Sequence, residues 1–145
     1  MRIAFGADDE NETTAAVRAR ITAAGHEVVG VRADEWPEIG AGVGRAVAGG
    51  DADLGVVMCW TGTGVSIAAN KVPGARAALA WEAWIADGAR RWNDANVLAL
   101  SLKRLAPAVA VEVLDAFLAP EGPDPDEVAA TRRLEAGTAA ERADH

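Results

Sequence analysis

The chain has 145 residues, half of them hydrophobic and a quarter charged, and this composition predicts one soluble globular domain. A formal net charge of −8 argues against a general nucleic-acid-binding protein, and no apolar run reaches the roughly 20 residues of a membrane span. With one cysteine, hence no internal disulfide, and an opening segment that does not resemble a signal peptide, we expect a cytoplasmic protein that binds neither nucleic acid nor a membrane.

Strand-like and helix-like segments alternate along the chain. In order, the pattern predicts strand 1–7, helix 14–24, strand 27–31, helix 39–48, strand 54–59, helix 66–70, strand 75–79, helix 83–92, strand 97–100 and helix 106–118. Segment 54–59 is continuous and apolar, which is typical of a central parallel strand. The alternation predicts a doubly wound α/β domain, in which helices cover both faces of a five-stranded parallel sheet.

The predicted element boundaries rest on local signals. Thr13 or Thr14 is expected to cap the first helix, and Gly25 to end it. Residues 33–37 are predicted to form a loop before the second helix.

The composition changes after residue 120. A proline-rich linker is followed there by a charged, helix-prone tail. We therefore divide the chain into an α/β domain of residues 1–120 and a segment 121–145, which we expect to pack on a partner subunit or to stay mobile.

The stretch 59–66 is the most informative part of the sequence. It reads Cys-Trp-Thr-Gly-Thr-Gly-Val-Ser, so a thiol at the end of a buried strand is followed by glycines and the start of a helix. Such a turn presents main-chain N–H groups that can hold a phosphate or an enediolate oxygen. The same amides favour a thiolate base, with Thr61 placed to hydrogen-bond it. Alternatively, Cys59 is a small buried hydrophobic residue and the glycines only form a turn.

Three blocks of the sequence form a pattern when they are read together. Residues 59–79 contain Cys-Trp-Thr-Gly-Thr-Gly, then Ser-Ile-Ala-Ala-Asn-Lys and Pro-Gly; residues 93–100 read Asn-Asp-Ala-Asn-Val-Leu-Ala-Leu; and residues 1–8 form an opening strand that ends in Asp8. This pattern closely resembles the ribose-5-phosphate isomerase B / LacA–LacB family of sugar-phosphate isomerases. The resemblance covers about residues 1–120.

The resemblance implies a Rossmann-like three-layer sandwich and an aldose–ketose isomerase that works through ring opening and a cis-enediolate. It implies no metal and no cofactor, and a homodimer or tetramer whose subunits share each active site. Cys59 matches the catalytic base, Thr61 the residue that supports it, Asp8 an acid that binds sugar hydroxyls, and Asn93 a substrate contact. The anion-holding loop corresponds to Gly62, Thr63, Gly64, Val65 and Ser66.

Several side chains that handle substrate in the family are replaced in this chain. Asp9 and Trp81 stand where the family has histidines, and Trp60 follows the cysteine where the family has glycine. The phosphate-binding arginines correspond to Lys103 and, in the tail, to Arg133. Lysine binds phosphate as a point charge and lacks the bidentate fork of arginine.

The replaced histidines leave ring opening to another group. Asp8, Asp9, Glu82 or water is a candidate, because like-charge repulsion in the acidic run 8–10 raises a carboxyl pKa. The alternative is that this run is a solvated loop that caps the next helix.

Four tryptophans map near the family's site. We predict that Trp60 and Trp81, together with Asp9, bind substrate, since indole faces stack on sugars. For Trp84 and Trp92 we expect packing in the core or at a dimer interface.

Three functions stay open on this evidence. The first is an active isomerase of an unusual sugar phosphate. The second is a non-catalytic LacA-like subunit or sugar-phosphate-binding module, which the lost histidines and arginines favour. The third is an isomerase or epimerase of an open-chain tetrose phosphate, which needs no ring opening. Cys59 favours an enzyme, because a binding module has no need of a thiol at that position.

Overall fold

The computed structural model describes the backbone of residues 1–143 and the side chains of residues 1–136. Its strands are β1 (Arg2–Ala7), β2 (Glu27–Gly30), β3 (Leu54–Cys59), β4 (Ala77–Leu79) and β5 (Val97–Ser101). Its helices are α1 (Glu12–Ala23), α2 (Trp36–Ala48), α3 (Thr63–Asn70), α4 (Ala83–Asn93), α5 (Pro107–Leu118) and α6 (Val128–Ala143), the last preceded by a 3₁₀ turn at Pro125–Glu127.

The five strands form one parallel sheet in the order β2-β1-β3-β5-β4. Each strand is joined to the next by a helix, as parallel pairing requires. The register brings Cys59 opposite Ser101 and Ala7 opposite Met58, so the ends of β1, β3 and β5 meet at one edge. The predicted α/β fold with a five-stranded parallel sheet is therefore confirmed.

The sheet is covered on both faces, and β3 supplies side chains to each of them. Val56 and Met58 join the core under α1, α4 and α5, whereas Val57 and Cys59 join the core under α2 and α3. This alternation is the period of two that a strand imposes. It turns the Cys59 side chain toward the layer formed by α2 and α3.

Some predicted helix boundaries were wrong. Asn11, not Thr13 or Thr14, caps α1, and its side chain accepts a hydrogen bond from the Thr14 N–H. Thr13 is buried inside the helix and donates its hydroxyl to the Leu105 carbonyl at 2.8 Å.

The second helix begins inside the predicted loop 33–37, at Trp36. Pro37 follows in its first turn, where the missing N–H of a proline costs no hydrogen bond within the helix. The third helix begins at Thr63, three residues before the predicted start, because Gly62 with φ of 77° completes the turn early.

The beginning of the tail packs on its own domain. Thr131 is buried, and Glu135 accepts a hydrogen bond from Arg76 Nη1 at 2.7 Å. Residues 144 and 145 of the predicted segment lie outside the described residues. Among the described helices, none combines the length and apolar character of a membrane span.

Candidate active site

A cleft of about 320 Å³ opens at the carboxyl edge of the sheet, where β1 and β3 end. Its lining residues are Asp8, Trp36, Cys59, Trp60, Thr61, Thr63 and Gly64. Most of these belong to the predicted site, although Trp36 gave no signal in the sequence.

Cys59 lines this cleft from the end of β3. The residue is only 5% exposed, and every other residue of the strand is buried as well. The Gly62 N–H donates a hydrogen bond to Sγ at 3.2 Å. The Thr61 hydroxyl lies 2.6 Å from the Thr63 hydroxyl instead, so the expected Thr61 bond to the thiol is replaced by a main-chain bond. The thiol is thus held by the backbone of the turn.

Gly62 is required by this geometry for two reasons. Its φ of 77° lies in the left-handed region that side chains with a Cβ rarely adopt. A Cβ there would also lie 2.6 Å from Leu79 Cδ1 and 2.9 Å from the Leu100 carbonyl carbon. The turn can therefore pass close beneath the thiol only as glycine.

The amino end of α3 faces the same cleft. Thr63 and Gly64 belong to its first turn and line the cleft, and first-turn amides have no acceptor within a helix. A Cβ at Gly64 would lie 2.9 Å from Trp36 Cε3, so the tryptophan ring packs directly on this turn. Val65 turns into the core and is fully buried, and Ser66 N–H donates to the Gly62 carbonyl at 3.3 Å. The Thr63 N–H donates to the Thr61 hydroxyl at 3.3 Å, and the amino end of the helix adds positive potential, which suits an oxyanion.

The Asp8 carboxyl group lies in the cleft with the thiol. Its Oδ1 is buried and, among the described residues, has no hydrogen-bond partner. Burial, and then repulsion from Asp9, raise the pKa of Asp8 above its ordinary value, while a backbone hydrogen bond acts in the opposite direction. Asp9 itself is exposed, and its Oδ1 accepts from the Glu10 N–H at 2.8 Å. Asp8 is therefore the carboxyl group of this cleft whose protonated form is favoured relative to a free aspartate.

A second cleft of about 380 Å³ adjoins the first across Trp60 and Thr61. Its other lining residues are Leu79, Ala80, Trp81, Ser101, Lys103, Arg104 and Leu105. Lys103 Nζ lies 4.7 Å from the centroid of the Trp60 ring. The predicted substrate-binding tryptophans and the predicted phosphate-binding lysine are thus brought together.

Ser101 connects the two clefts, and sequence analysis missed it. Its hydroxyl donates to the Trp60 carbonyl at 2.6 Å and accepts from the Arg104 N–H at 3.0 Å. The signal for it was available, since Ser101 is a polar residue directly after the apolar strand residues 97–100. Arg104, which lines the second cleft, was also missed.

Two predicted site residues lie elsewhere in the chain. Asn93 ends α4 near the amino edge of the sheet and lines a cleft with Asn70, Arg76 and Glu135. Arg133 is exposed on α6. A single chain does not bring either residue into the cleft that holds Cys59.

The remaining candidates lie at the surface. Trp84 and Trp92 contact each other edge to face at 5.6 Å and are 67% and 41% exposed, so core packing of these rings was wrong. Glu82 is exposed at the N-cap of α4.

Together these features define an α/β protein whose cleft at the carboxyl edge of the sheet contains Cys59 and Asp8. A sequence profile described as Ribose/Galactose Isomerase matches residues 3–136, and the chain belongs to that family. The family resemblance seen in the sequence is therefore confirmed.

Individual relatives agree with this assignment. The chain is 42% identical over 84 residues to ribose-5-phosphate isomerase B of Escherichia coli (strain K12), a stretch covering 58% of this chain and 56% of that protein. It is 36% identical over 83 residues to D-erythrulose-4-phosphate isomerase of Pectobacterium atrosepticum, covering 57% and 55%. The structure of Clostridium thermocellum ribose-5-phosphate isomerase B superposes with a TM-score of 0.89 at 30% identity over 97% of this chain and 99% of that chain. The alignments thus span just over half of these two curated relatives, whereas the fold matches throughout.

Proposed function

We propose that this protein is an aldose–ketose isomerase of a sugar phosphate, with Cys59 as the base that moves a proton between neighbouring carbons. One observation carries the proposal: Cys59 and Asp8 line the same cleft, and Asp8 Oδ1 is buried without a hydrogen-bond partner among the described residues. Carbon-to-carbon proton transfer needs a base near the carbons and a second group that serves the oxygens. The described lining of this cleft offers those two groups, Cys59 and Asp8.

The proposed reaction balances with these two groups. The Cys59 thiolate takes the proton from C2 of an open-chain aldose, and the electron pair moves onto the carbonyl oxygen at C1. Amides of the first turn of α3 stabilise the resulting enediolate, while the Gly62 N–H stays bonded to the sulfur. Asp8 gives a proton to O1 and takes one from O2, and the Cys59 thiol then returns its proton to C1. The product is the ketose, and both side chains regain their starting state.

The test is proton exchange at C1 and C2 in heavy water, followed by NMR with four-, five- and six-carbon aldose and ketose phosphates. We expect exchange and interconversion for at least one of them, and strong loss of both in Cys59→Ala. A folded Cys59→Ala variant that keeps the wild-type exchange rate would show that another group is the base. If no sugar phosphate exchanges but some bind, the non-catalytic subunit is the correct alternative.

A second candidate is an isomerase of an open-chain tetrose phosphate. Among the described residues, neither cleft contains a histidine, and Trp81 stands at the position of the family's ring-opening histidine. A four-carbon aldose phosphate cannot close a stable ring through its phosphorylated oxygen, so it needs no ring-opening group. One of the similar proteins is named D-erythrulose-4-phosphate isomerase, so a four-carbon sugar phosphate is named as the substrate of a relative. In the exchange screen, this candidate predicts the highest kcat/KM for the four-carbon substrates.

We further propose that two subunits share each active site. Asn93 and Arg133 lie away from Cys59 in one chain, so only a second copy is able to bring them to its cleft. Mixing Cys59→Ala with Asn93→Ala subunits is expected to restore about a quarter of wild-type activity, because half of the dimers then carry one intact site. Mixtures as inactive as the separate variants would argue for sites within one chain.

A catalytic thiol also suits a reducing compartment, and we place the activity in the cytoplasm.

A further inference from the structure

The contact between Trp60 and Lys103 is fixed at the backbone as well as at the side chains. Lys103 Nζ lies 4.7 Å from the indole centroid, and the Lys103 N–H donates to the Trp60 carbonyl at 3.3 Å. Ser101 binds that same carbonyl at 2.6 Å. These bonds join the loops after β3 and β5. The backbone of Lys103 is therefore fixed beside that of Trp60, and the ammonium lies over the indole ring.

The charge of Lys103 is left available by this contact. Within the part of the chain whose side chains are described, the ion pairs with carboxylates are formed by Arg2, Arg18, Arg20, Arg76 and Arg91. Lys103 contacts an indole face instead. An aromatic face attracts a cation through its quadrupole but does not neutralise it. The ammonium thus contacts the indole and, among the described residues, is not among the cations paired with a carboxylate.

The position of Trp60 gives this ordering a consequence for the reaction. Trp60 directly follows Cys59 and lines both clefts, whereas Lys103 and Arg104 line the second cleft. An anion bound at Lys103 therefore lies in the second cleft, which shares Trp60 with the cleft of Cys59. A sugar phosphate spanning the ring would have its phosphate in the second cleft and its reacting carbons in the first.

We propose that Trp60 is a positioning residue that holds the Lys103 ammonium in place for the substrate phosphate. A lysine has a flexible stem and no planar fork, so its phosphate contact needs ordering from elsewhere. The indole supplies that order. The inference rests on the proposed function in one respect, namely that the anion bound here is the phosphate of the substrate.

The test is calorimetric titration of inorganic phosphate at low ionic strength into the wild type, Trp60→Ala, Lys103→Met and the double variant. We expect a Kd weakened about two- to fivefold by Trp60→Ala and about tenfold by Lys103→Met. The double variant should bind no more weakly than Lys103→Met, because the indole acts only through the ammonium. Multiplicative effects, an unchanged Kd in Trp60→Ala, or no phosphate binding by the wild type would each overturn the proposal.

Matched variants separate positioning from simple packing. Trp60→Phe keeps an aromatic face and should restore most of the phosphate affinity. Trp84→Ala removes an indole that is also exposed and lines neither cleft, and should leave the Kd unchanged. NMR supplies a direct signature, since the Lys103 protons next to Nζ should be shifted upfield by the ring in the wild type and in Trp60→Phe, but not in Trp60→Ala.

The phosphate titration needs no turnover, so its failure is distinguishable from that of the proposed isomerase. Suppose that the Trp60 and Lys103 substitutions are non-additive for phosphate binding but no sugar phosphate exchanges protons. That result would refute the proposed reaction and support the positioning role of Trp60. Proton exchange together with additive effects of the two substitutions would support the reaction and refute the positioning role. In an active enzyme, Trp60→Ala should raise KM by more than it lowers kcat.

Discussion

The two clefts at the carboxyl edge hold their residues by different means. Around Cys59 the contacts are main-chain ones: Gly62 N–H binds the sulfur, and Asp8 N–H binds the Met58 carbonyl at 3.1 Å. Around Lys103 the main side chains are exposed, with Trp60 55% and Trp81 61% accessible, although the Lys103 N–H is bonded to the Trp60 carbonyl. Backbone contacts fix atoms more tightly than long surface side chains do. The difference agrees with our proposal that the first cleft carries the chemistry and the second binds the substrate phosphate.

The largest effect is expected at Cys59. If the first cleft holds the chemistry, Cys59→Ala should lower kcat by about a thousandfold or more, since it removes the base. The fold should survive, because alanine leaves only a small gap at the end of a buried strand. Cys59→Ser, which keeps the shape with a far weaker base, serves as the control and should be nearly as inactive. Wild-type turnover in a folded Cys59→Ser protein would contradict the assignment.

Asp8→Asn should lower kcat by about a hundredfold, because an amide keeps the shape but does not shuttle a proton. The pH profile of kcat should lose the limb that belongs to Asp8. Glu10→Gln is the matched control in the same loop: Glu10 pairs with Arg18 at 2.6 Å, outside the cleft, and its loss should change kcat little. Equal effects of the two substitutions would indicate a general charge effect and not a specific proton transfer.

Gly62→Ala tests whether the turn beneath the thiol is as tightly fitted as its contacts indicate. We expect a loss of about 2–4 kcal/mol in the free energy of unfolding, from backbone strain plus overpacking against Leu79 and Leu100. Gly25→Ala is a control with the same backbone strain, since φ is 86° there and nothing lies within 4 Å of the added Cβ. It should cost about 1 kcal/mol. Similar losses in the two variants, measured by urea unfolding, would mean that the contacts around Gly62 relax easily.

The smallest effect concerns stability and pH. The pKa of Asp8 is raised in the folded protein, so folding favours its protonated form. Its contribution to stability is therefore full below the ordinary value of 3.8 and is lost as pH rises through the folded pKa. The free energy of unfolding of Asp8→Asn, taken relative to that of the wild type, should therefore be higher at about pH 7 than at about pH 3, as measured by urea unfolding at the two pH values. A wild type that becomes the relatively more stable protein at the higher pH would show that Asp8 is paired instead.

Much of the fold follows from patterns in the sequence. The continuous apolar strand 54–59 identified the centre of the sheet, and the alternation around it identified the parallel architecture. The boundaries that failed were decided by tertiary contacts. Thr13 reads as a cap but is buried against Leu105, 92 residues away, and that partner is invisible locally.

The candidate site divides in the same way. Residues that touch through the backbone of one turn, such as Cys59 and Gly62, were predicted together. Trp36 was missed, because its contact with the turn depends on how α2 packs against α3. The separation of Asn93 from the thiol was also missed, since motif matching does not say at which edge of the sheet a residue lies.

The main-chain bonds that join the loops after β1, β3 and β5 have a consequence for how this scaffold changes. Asp8 N–H to Met58 and Leu102 N–H to Cys59 involve no side-chain atoms, so they persist whatever residues stand at the rim. Such a scaffold tolerates exchange of its outer side chains without displacing the sulfur. Under the proposed function, positions 60, 81 and 103 are therefore the place to retarget the substrate, while Cys59 and the turn at 61–64 are best left intact.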